Sequence, residues 1–318
     1  MYFDAFNGDA DGICALHQLR LAEPVASQLV TGVKRDIALL KRITAEAGDE
    51  VTALDIAVEK NIAPLQTLLD KGVRVRWFDH HDPGDLPLHA GFEPHIDTAA
   101  DVCTSLLVDR YLGGRHRPWA VTAAFGDNLH DAARRAAEPL GLTEDRLAQL
   151  RELGECLNYN AYGESVDDLH FPPDELYRRL HAYADPFAFV AEAPEFATLR
   201  DGYAADMAAA STVTPLEERP SGAVIVLPDA AWARRVSGIY ANELASRHPQ
   251  RAHALLTRSP QGHYVVSVRA PLANRTGADV LCRQFDTGGG RKAAAGINVL
   301  PEERLPDFIR AFYTIYPV

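Results

Sequence analysis

The first 130 residues alternate short apolar runs with helically spaced ones, and this rhythm restricts the fold more than any single motif does. YFDAFNG (2–8) reads as a strand and GICALHQLRLA (12–22) as a helix, with Ile13, Leu16 and Leu19 on a helical repeat. ASQLVTGV (26–33) and DIALLKRITAEA (36–47) repeat the pattern as a second strand and a second helix. VTALDIA (51–57) is a third strand, NIAPLQTLLDKG (61–72) a helix closed by Gly72, and VRVRWFDHH (73–81) a fourth strand. A βαβα order of this kind predicts a parallel sheet with helices on both faces. All strand C-termini then lie along one edge, where open α/β sheets bind ligands.

TSLLVDRYLGG (104–114) and PWAVTAAFGDNLHDAARRAAEPLG (118–141) read as helices, and residues 130–200 as largely helical with breaks at Pro172-Pro173 and Pro186. Within that stretch NAYGESVDDLHFPPDE (160–175) reads as a surface loop, from its polar residues and prolines. VTPLEERPSG (213–222) reads as a linker. Strand and helix patterns restart beyond it: strands at 221–229, 253–259, 263–270 and 296–301, and helices at 232–248, 276–285 and 303–316. The expectation is an α/β protein of two domains, 1–212 and 223–318, the first ending in a helical part from about residue 130.

Composition excludes some functions. The net charge of −12 argues against a general duplex-DNA binder, whose affinity comes mostly from phosphate contacts. The four cysteines, Cys14, Cys103, Cys156 and Cys282, have no CxxC spacing and read as buried reduced thiols. No apolar run approaches the roughly 18 residues of a membrane span, and the first residues, MYFDAFNGD, carry acid where a signal peptide carries base. A cytoplasmic location follows as the expectation.

Acids gather at the predicted strand ends. Asp9 and Asp11 follow the first strand, Asp55 lies in the third, and Asp79-His80-His81 close the fourth. Asp127, in AAFGDN, follows an apolar helical stretch. A lone Asp at a strand end commonly caps the next helix. Asp55 is harder to read that way, because a carboxylate inside an apolar strand needs something to offset its charge. Carboxylates with imidazole suit a divalent cation such as Mn²⁺ or Mg²⁺ better than a cysteine-rich zinc site. Near the far end, DTGGGRKAAAGIN (286–298) places Gly288, Gly289 and Gly290 before Arg291 and Lys292. Such a run is either a flexible turn or a backbone that approaches an anion closely, with Arg269 as a further phosphate partner if it faces the same crevice.

In order, NGDADG (7–12), Asp55, DHH (79–81), FGDN (125–128) and GGGRKAAAG (288–296) resemble the motifs of the DHH phosphoesterase superfamily, RecJ-type and nanoRNase-type enzymes included. The resemblance spans nearly the whole chain. It implies a catalytic DHH domain, a C-terminal DHH-associated substrate-binding domain, and an active site in the cleft between them. It further implies two Mn²⁺ or Mg²⁺ ions, with Asp9, Asp11, Asp55, Asp79, His81 and Asp127 as metal ligands, Asn7 as a weaker one, and Asp55 bridging. The catalytic set so implied is Asp55, His80 and His81. The substrate-binding set is Arg269, Gly288, Gly289, Gly290, Arg291 and Lys292. Three positions depart from the family: Ala5 stands where many relatives carry a ligating His, Asn7 where the RecJ group has Asp, and Arg291 where the family has His.

The expected activity is metal-dependent hydrolysis of short oligonucleotides or of nucleotides such as 3′-phosphoadenosine 5′-phosphate. The expected partners are a small phosphorylated substrate or a short single strand, with no duplex DNA and no membrane, and a homodimer is compatible with the family. Two alternatives stand beside it: hydrolysis of pyrophosphate or polyphosphate, and a degenerate member that binds a nucleotide without turnover.

Overall fold

The computed structural model describes residues 1–317. They form two compact units, one of Met1–Gly202 and one from Tyr203 onward. In the first, strands β1 (Tyr2–Phe6), β2 (Gln28–Val30), β3 (Glu50–Leu54), β4 (Arg74–Asp79) and β5 (Phe92–Ile96) form one sheet in the order β2-β1-β3-β4-β5. Every pairing in it is parallel. Because the chain steps from β1 to one side and later returns to the other, the order reverses between β1 and β3. That reversal point opens a crevice beyond the strand ends.

The pleat explains the two faces. Phe3, Ala5, Val51, Ala53, Val75 and Trp77 turn one way, into a core shared with Leu65, Leu68 and Leu69 of helix α2 (Ile62–Asp70). Asp4 and Thr52 turn the other way, under helix α1 (Ala10–Ala22). There Arg20 of α1 donates from Nε to Asp4 (2.9 Å) and from Nη2 to Thr52 (3.1 Å), a buried ion pair that is hydrogen-bonded on both sides.

Three expectations change. The helix expected at 36–47 is only a 3₁₀ turn at Leu39–Arg42. Buried Asn61 explains it: its side chain accepts from Leu40 N (3.1 Å) and donates to Ile37 O (2.8 Å), replacing the bonds a helix would make. The strand expected at 51–57 stops at Leu54, so Asp55 lies just beyond it, with a positive φ of 59°. Strand β5 was not expected, because Pro94 interrupts FEPHI; it pairs with β4 alone, and an edge strand tolerates proline. As expected, α2 ends at Gly72, whose φ is 83°.

Helices α3 (Thr104–Tyr111), α4 (Arg117–Gly126), α5 (His130–Ala137), α6 (Glu144–Asn160), α7 (Pro173–Leu180) and α8 (Pro186–Glu192) complete the first unit, and α9 (Pro194–Ser211) runs from it into the second. The loop after α6 is not loosely attached. Buried Asn160 accepts from His170 N (3.0 Å) and Phe171 N (3.2 Å) and donates to Phe171 O (2.8 Å). Helices α4 and α6 cross at Gly126 and Gly154. A Cβ on Gly154 would fall on Thr122 O and within 2.8 Å of Gly126 N, and one on Gly126 would come within 2.6 Å of Ala10 Cβ in α1. This backbone-to-backbone approach sets Asp127 against α1. Gly154→Val is therefore expected to destabilise the protein by about 3 kcal/mol or more. Urea unfolding checks this, and a midpoint shared with the unsubstituted protein refutes the crossing as described.

The second unit has a mixed sheet of β6 (Glu217–Arg219), β7 (Gly222–Leu227), β8 (Ala252–Arg258), β9 (His263–Arg269), β10 (Gly288–Gly290) and β11 (Ala294–Pro301), in the order β10-β11-β9-β8-β7-β6. Only β7 and β8 pair in parallel. β6 falls inside the stretch expected as a linker, 213–222; its charged residues sit on an edge strand, which by composition looks like a linker. Helices α10 (Ala231–Arg247), α11 (Ala278–Cys282) and α12 (Leu305–Ile315) belong to this unit, and Leu281, Phe308 and Phe312 enter its core. All four cysteines are free and buried. No helix among the described residues is long and apolar enough to cross a membrane.

Candidate metal centre

Asp9 and Asp11 leave β1 two residues apart and take different tasks. Asp9 is the N-cap of α1: its Oδ1 accepts from Asp11 N (3.0 Å) and Gly12 N (3.1 Å). Asp11, in the first turn of that helix, reaches across to α3, where its two oxygens accept from Thr104 N and Ser105 N, both at 2.7 Å. The Ser105 hydroxyl returns a bond to Asp11 O (2.9 Å). The loop that carries these acids lies against the loop after β2, because Gly8 has no side chain to strike Gly32 O and the ring of Pro173.

Asp55 enters from β3. Its left-handed backbone is a conformation that Asp and Asn adopt more readily than other side chains. The Thr104 hydroxyl donates to its Oδ1 (3.1 Å), and His80 Nε2 lies 3.4 Å from the same oxygen. His80 Nε2 is also 3.9 Å from Asp127 Oδ2, so His80 stands between the two acids. Asp79 is fully buried and does not join this group directly. Its Oδ1 meets His81 Nδ1 at 2.7 Å, leaving Nε2 of a half-exposed imidazole for other work. This is the carboxylate–imidazole pairing that orients metal-binding histidines.

Crowding shows in the proton affinities. Burial, and then the charges of Asp11, Asp9, Asp127 and Asp79, push Asp55 well above the carboxylate range. Burial and the Asp11 charge push Asp127 up to about 6. The hydrogen bond to Asp79 is the main cause that raises His81. Asp9 goes the other way. Burial works to raise it, but the Lys34 ammonium at 2.6 Å and the backbone donors outweigh burial and hold it low.

Two sets of side chains have donor atoms close enough together for one cation: Asp55, His80 and His81, and Asp11, His80 and Asp127. Hard carboxylate oxygens with imidazole fit Mn²⁺ or Mg²⁺. So do the raised Asp55 and Asp127, since such acids lack enough positive charge of their own. The structure thus brings Asp11, Asp55, His80, His81 and Asp127 together. It places Asp9 with Lys34, Asp79 behind His81, and the Asn7 amide 3.5 Å from Lys34 O. In the second unit, Arg269 is held by Asn242 Oδ1 (2.6 Å) and Gly238 O (3.3 Å). Gly288, Gly289 and Gly290 are not a flexible turn but strand β10, paired with β11, and Arg291 and Lys292 are exposed beside it.

Lys34, Thr104 and Ser105 were not among the expected site residues. A lysine in GVKRD reads as a solvated surface residue, and the only hint to its place was that it follows β2 at the same sheet edge as the acids. The role of Thr104 and Ser105 depends on a contact 93 and 94 residues away in the chain.

Residues 221–316 match the DHHA1 domain family. No curated protein matches the chain by sequence. Among solved structures, an exonuclease RecJ bound to manganese is 18% identical, with a TM-score of 0.64, over 100% of this chain and 90% of the other. RecJ from Thermus thermophilus in complex with Mn²⁺ is 19% identical, with a TM-score of 0.66; the match covers 98% of this chain but 51% of that one. The pGpG-specific phosphodiesterase PggH of Vibrio cholerae is 15% identical, with a TM-score of 0.58, over 99% and 98% of the two chains.

Proposed function

We propose that this chain is a DHH-type, metal-dependent phosphoesterase that hydrolyses short oligonucleotides or nucleotide phosphates, a reading that the DHHA1 match and the shared fold support. The observation that carries this reading is the convergence of Asp11, Asp55, His80, His81 and Asp127 beyond the carboxyl ends of parallel strands. The fold shared with an exonuclease and with a dinucleotide phosphodiesterase supports it.

Mn²⁺ or Mg²⁺ held by these residues would supply a water of lowered pKa and would neutralise phosphoryl oxygens during in-line attack. The protein's own part is positioning. Asp55 is oriented by the Thr104 hydroxyl, Asp11 by two backbone N–H groups, and His81 by Asp79. His80 sits between Asp55 and Asp127, where it can contact the ion or a phosphoryl oxygen. In the second unit we assign phosphate binding to the triple glycine with Arg291 and Lys292. An arginine there grips a phosphate through two parallel bonds and does not exchange a proton near neutral pH. Four free, buried thiols agree with a reducing cytoplasm as its place of action.

The experiment is a release assay in Mn²⁺ on four substrates: a linear dinucleotide, 3′-phosphoadenosine 5′-phosphate, a cyclic dinucleotide and pyrophosphate. Mononucleotide release from the linear dinucleotide, or phosphate release from 3′-phosphoadenosine 5′-phosphate, is expected. Release from pyrophosphate alone would transfer the assignment to phosphoanhydrides. Binding without release from any substrate would make the chain a nucleotide-binding protein.

A further inference from the structure

Asp9 lies in neither set of candidate ligands, and its bonds explain why. One oxygen is taken by two backbone N–H groups of α1, and the other faces the Lys34 ammonium at 2.6 Å. Lys34 Nζ sits among oxygens from three places in the chain: Asp9 Oδ2, Asn158 Oδ1 at 3.0 Å and Asp127 Oδ1 at 3.7 Å. Its side chain is 26% exposed, and its backbone is fixed by a bond from its N–H to Ala161 O (2.9 Å). The aromatic face of Tyr162 lies 5.6 Å away. An ammonium so enclosed is part of the acid cluster, not a surface charge.

The two remaining sets of donors are not independent. Both candidate sets include His80, and the nitrogen that faces both Asp55 and Asp127 is Nε2. One imidazole nitrogen has one lone pair for one cation. Asn7, 5% exposed, donates to the Lys34 backbone carbonyl (3.5 Å) and brings no charge of its own.

We infer that this chain binds a single divalent ion, and that the Lys34 ammonium, held between Asp9 and Asp127, takes the place of a second one. The inference rests on the metal-centre reading above. Lysine would neutralise charge and could meet a phosphoryl oxygen, but it cannot act as a Lewis acid on water, so the water-activating task falls to the one ion.

The test is Mn²⁺ stoichiometry by calorimetric titration, together with low-temperature electron paramagnetic resonance, on the full chain. The unsubstituted protein is expected to bind one Mn²⁺ with an isolated-ion spectrum. Lys34→Gln is expected to bind two, with the spectrum of a spin-coupled pair, whereas Lys34→Arg, which keeps the charge, stays at one. Two ions in the unsubstituted protein overturn the inference but leave the metal-centre reading standing; so does Lys34→Gln remaining at one while its melting shows it folded. No bound Mn²⁺ in any of the three refutes the metal-centre reading itself. Should Lys34→Gln fail to fold, the spectra of the unsubstituted protein and Lys34→Arg still decide, since a coupled pair in either is excluded.

Discussion

Replacing Asp55 by Asn is expected to lower turnover by more than ~100-fold while leaving the protein folded. Substituting a residue that merely orients a metal ligand costs about 10–100-fold, and Asp55 is one of the proposed ligands themselves. Three features make Asn a clean probe. Its shape preserves the contact with the Thr104 hydroxyl. It accepts the left-handed backbone at φ 59°, which alanine would occupy at a cost of about 1–2 kcal/mol. It also removes one charge from a crowded buried cluster, so the metal-free variant should melt no lower than the parent. Turnover and melting are to be measured together. Activity within a few-fold of the parent, with folding intact, would sink the assignment of Asp55.

Removing metal is expected to make stability fall as pH rises across the acid range. Asp127 is near 3.8 when unfolded and about 6 when folded, so the folded chain holds that proton more tightly. The associated stability is complete below pH 3.8, and is lost as pH rises through about 6. The shift corresponds to on the order of 3 kcal/mol, or several degrees of melting temperature for a unit this size. Asp55 is raised too, chiefly by burial, and adds to the loss in the same direction. Mn²⁺ reverses it by supplying the missing positive charge. Melting with EDTA and with Mn²⁺, at pH 5 and at pH 7.5, checks this. The gain from Mn²⁺ should be clearly larger at pH 7.5, and equal gains at the two pH values would contradict the crowding described.

Much of the fold could be read from the chain because its signals are local. Strand and helix periods, and the turn at Gly72, are written within a few residues of where they act. The helix expected at 36–47 failed because Asn61, well outside that window, supplies the bonds instead. The candidate site divides in the same way. Aspartates after strands can be placed on the sheet edge by topology alone, and Asp11, Asp55 and His80 do come together there. Their bond partners could not be placed: Lys34 is drawn in by the close approach of two loops at Gly8 and Gly32, a matter of backbone shape. Asp79 and His80, adjacent in the motif, differ in depth because successive residues leaving a strand point to opposite sides.

The bonds that Asp11 accepts from the first amides of α3 have a further consequence. They join the first turn of α1 to a helix more than 90 residues away through donors that are buried and need no ion. The position of Asp11 is thus set when the chain folds. The Thr104 and Ser105 amides should exchange with solvent as slowly in the stripped protein as in the loaded one.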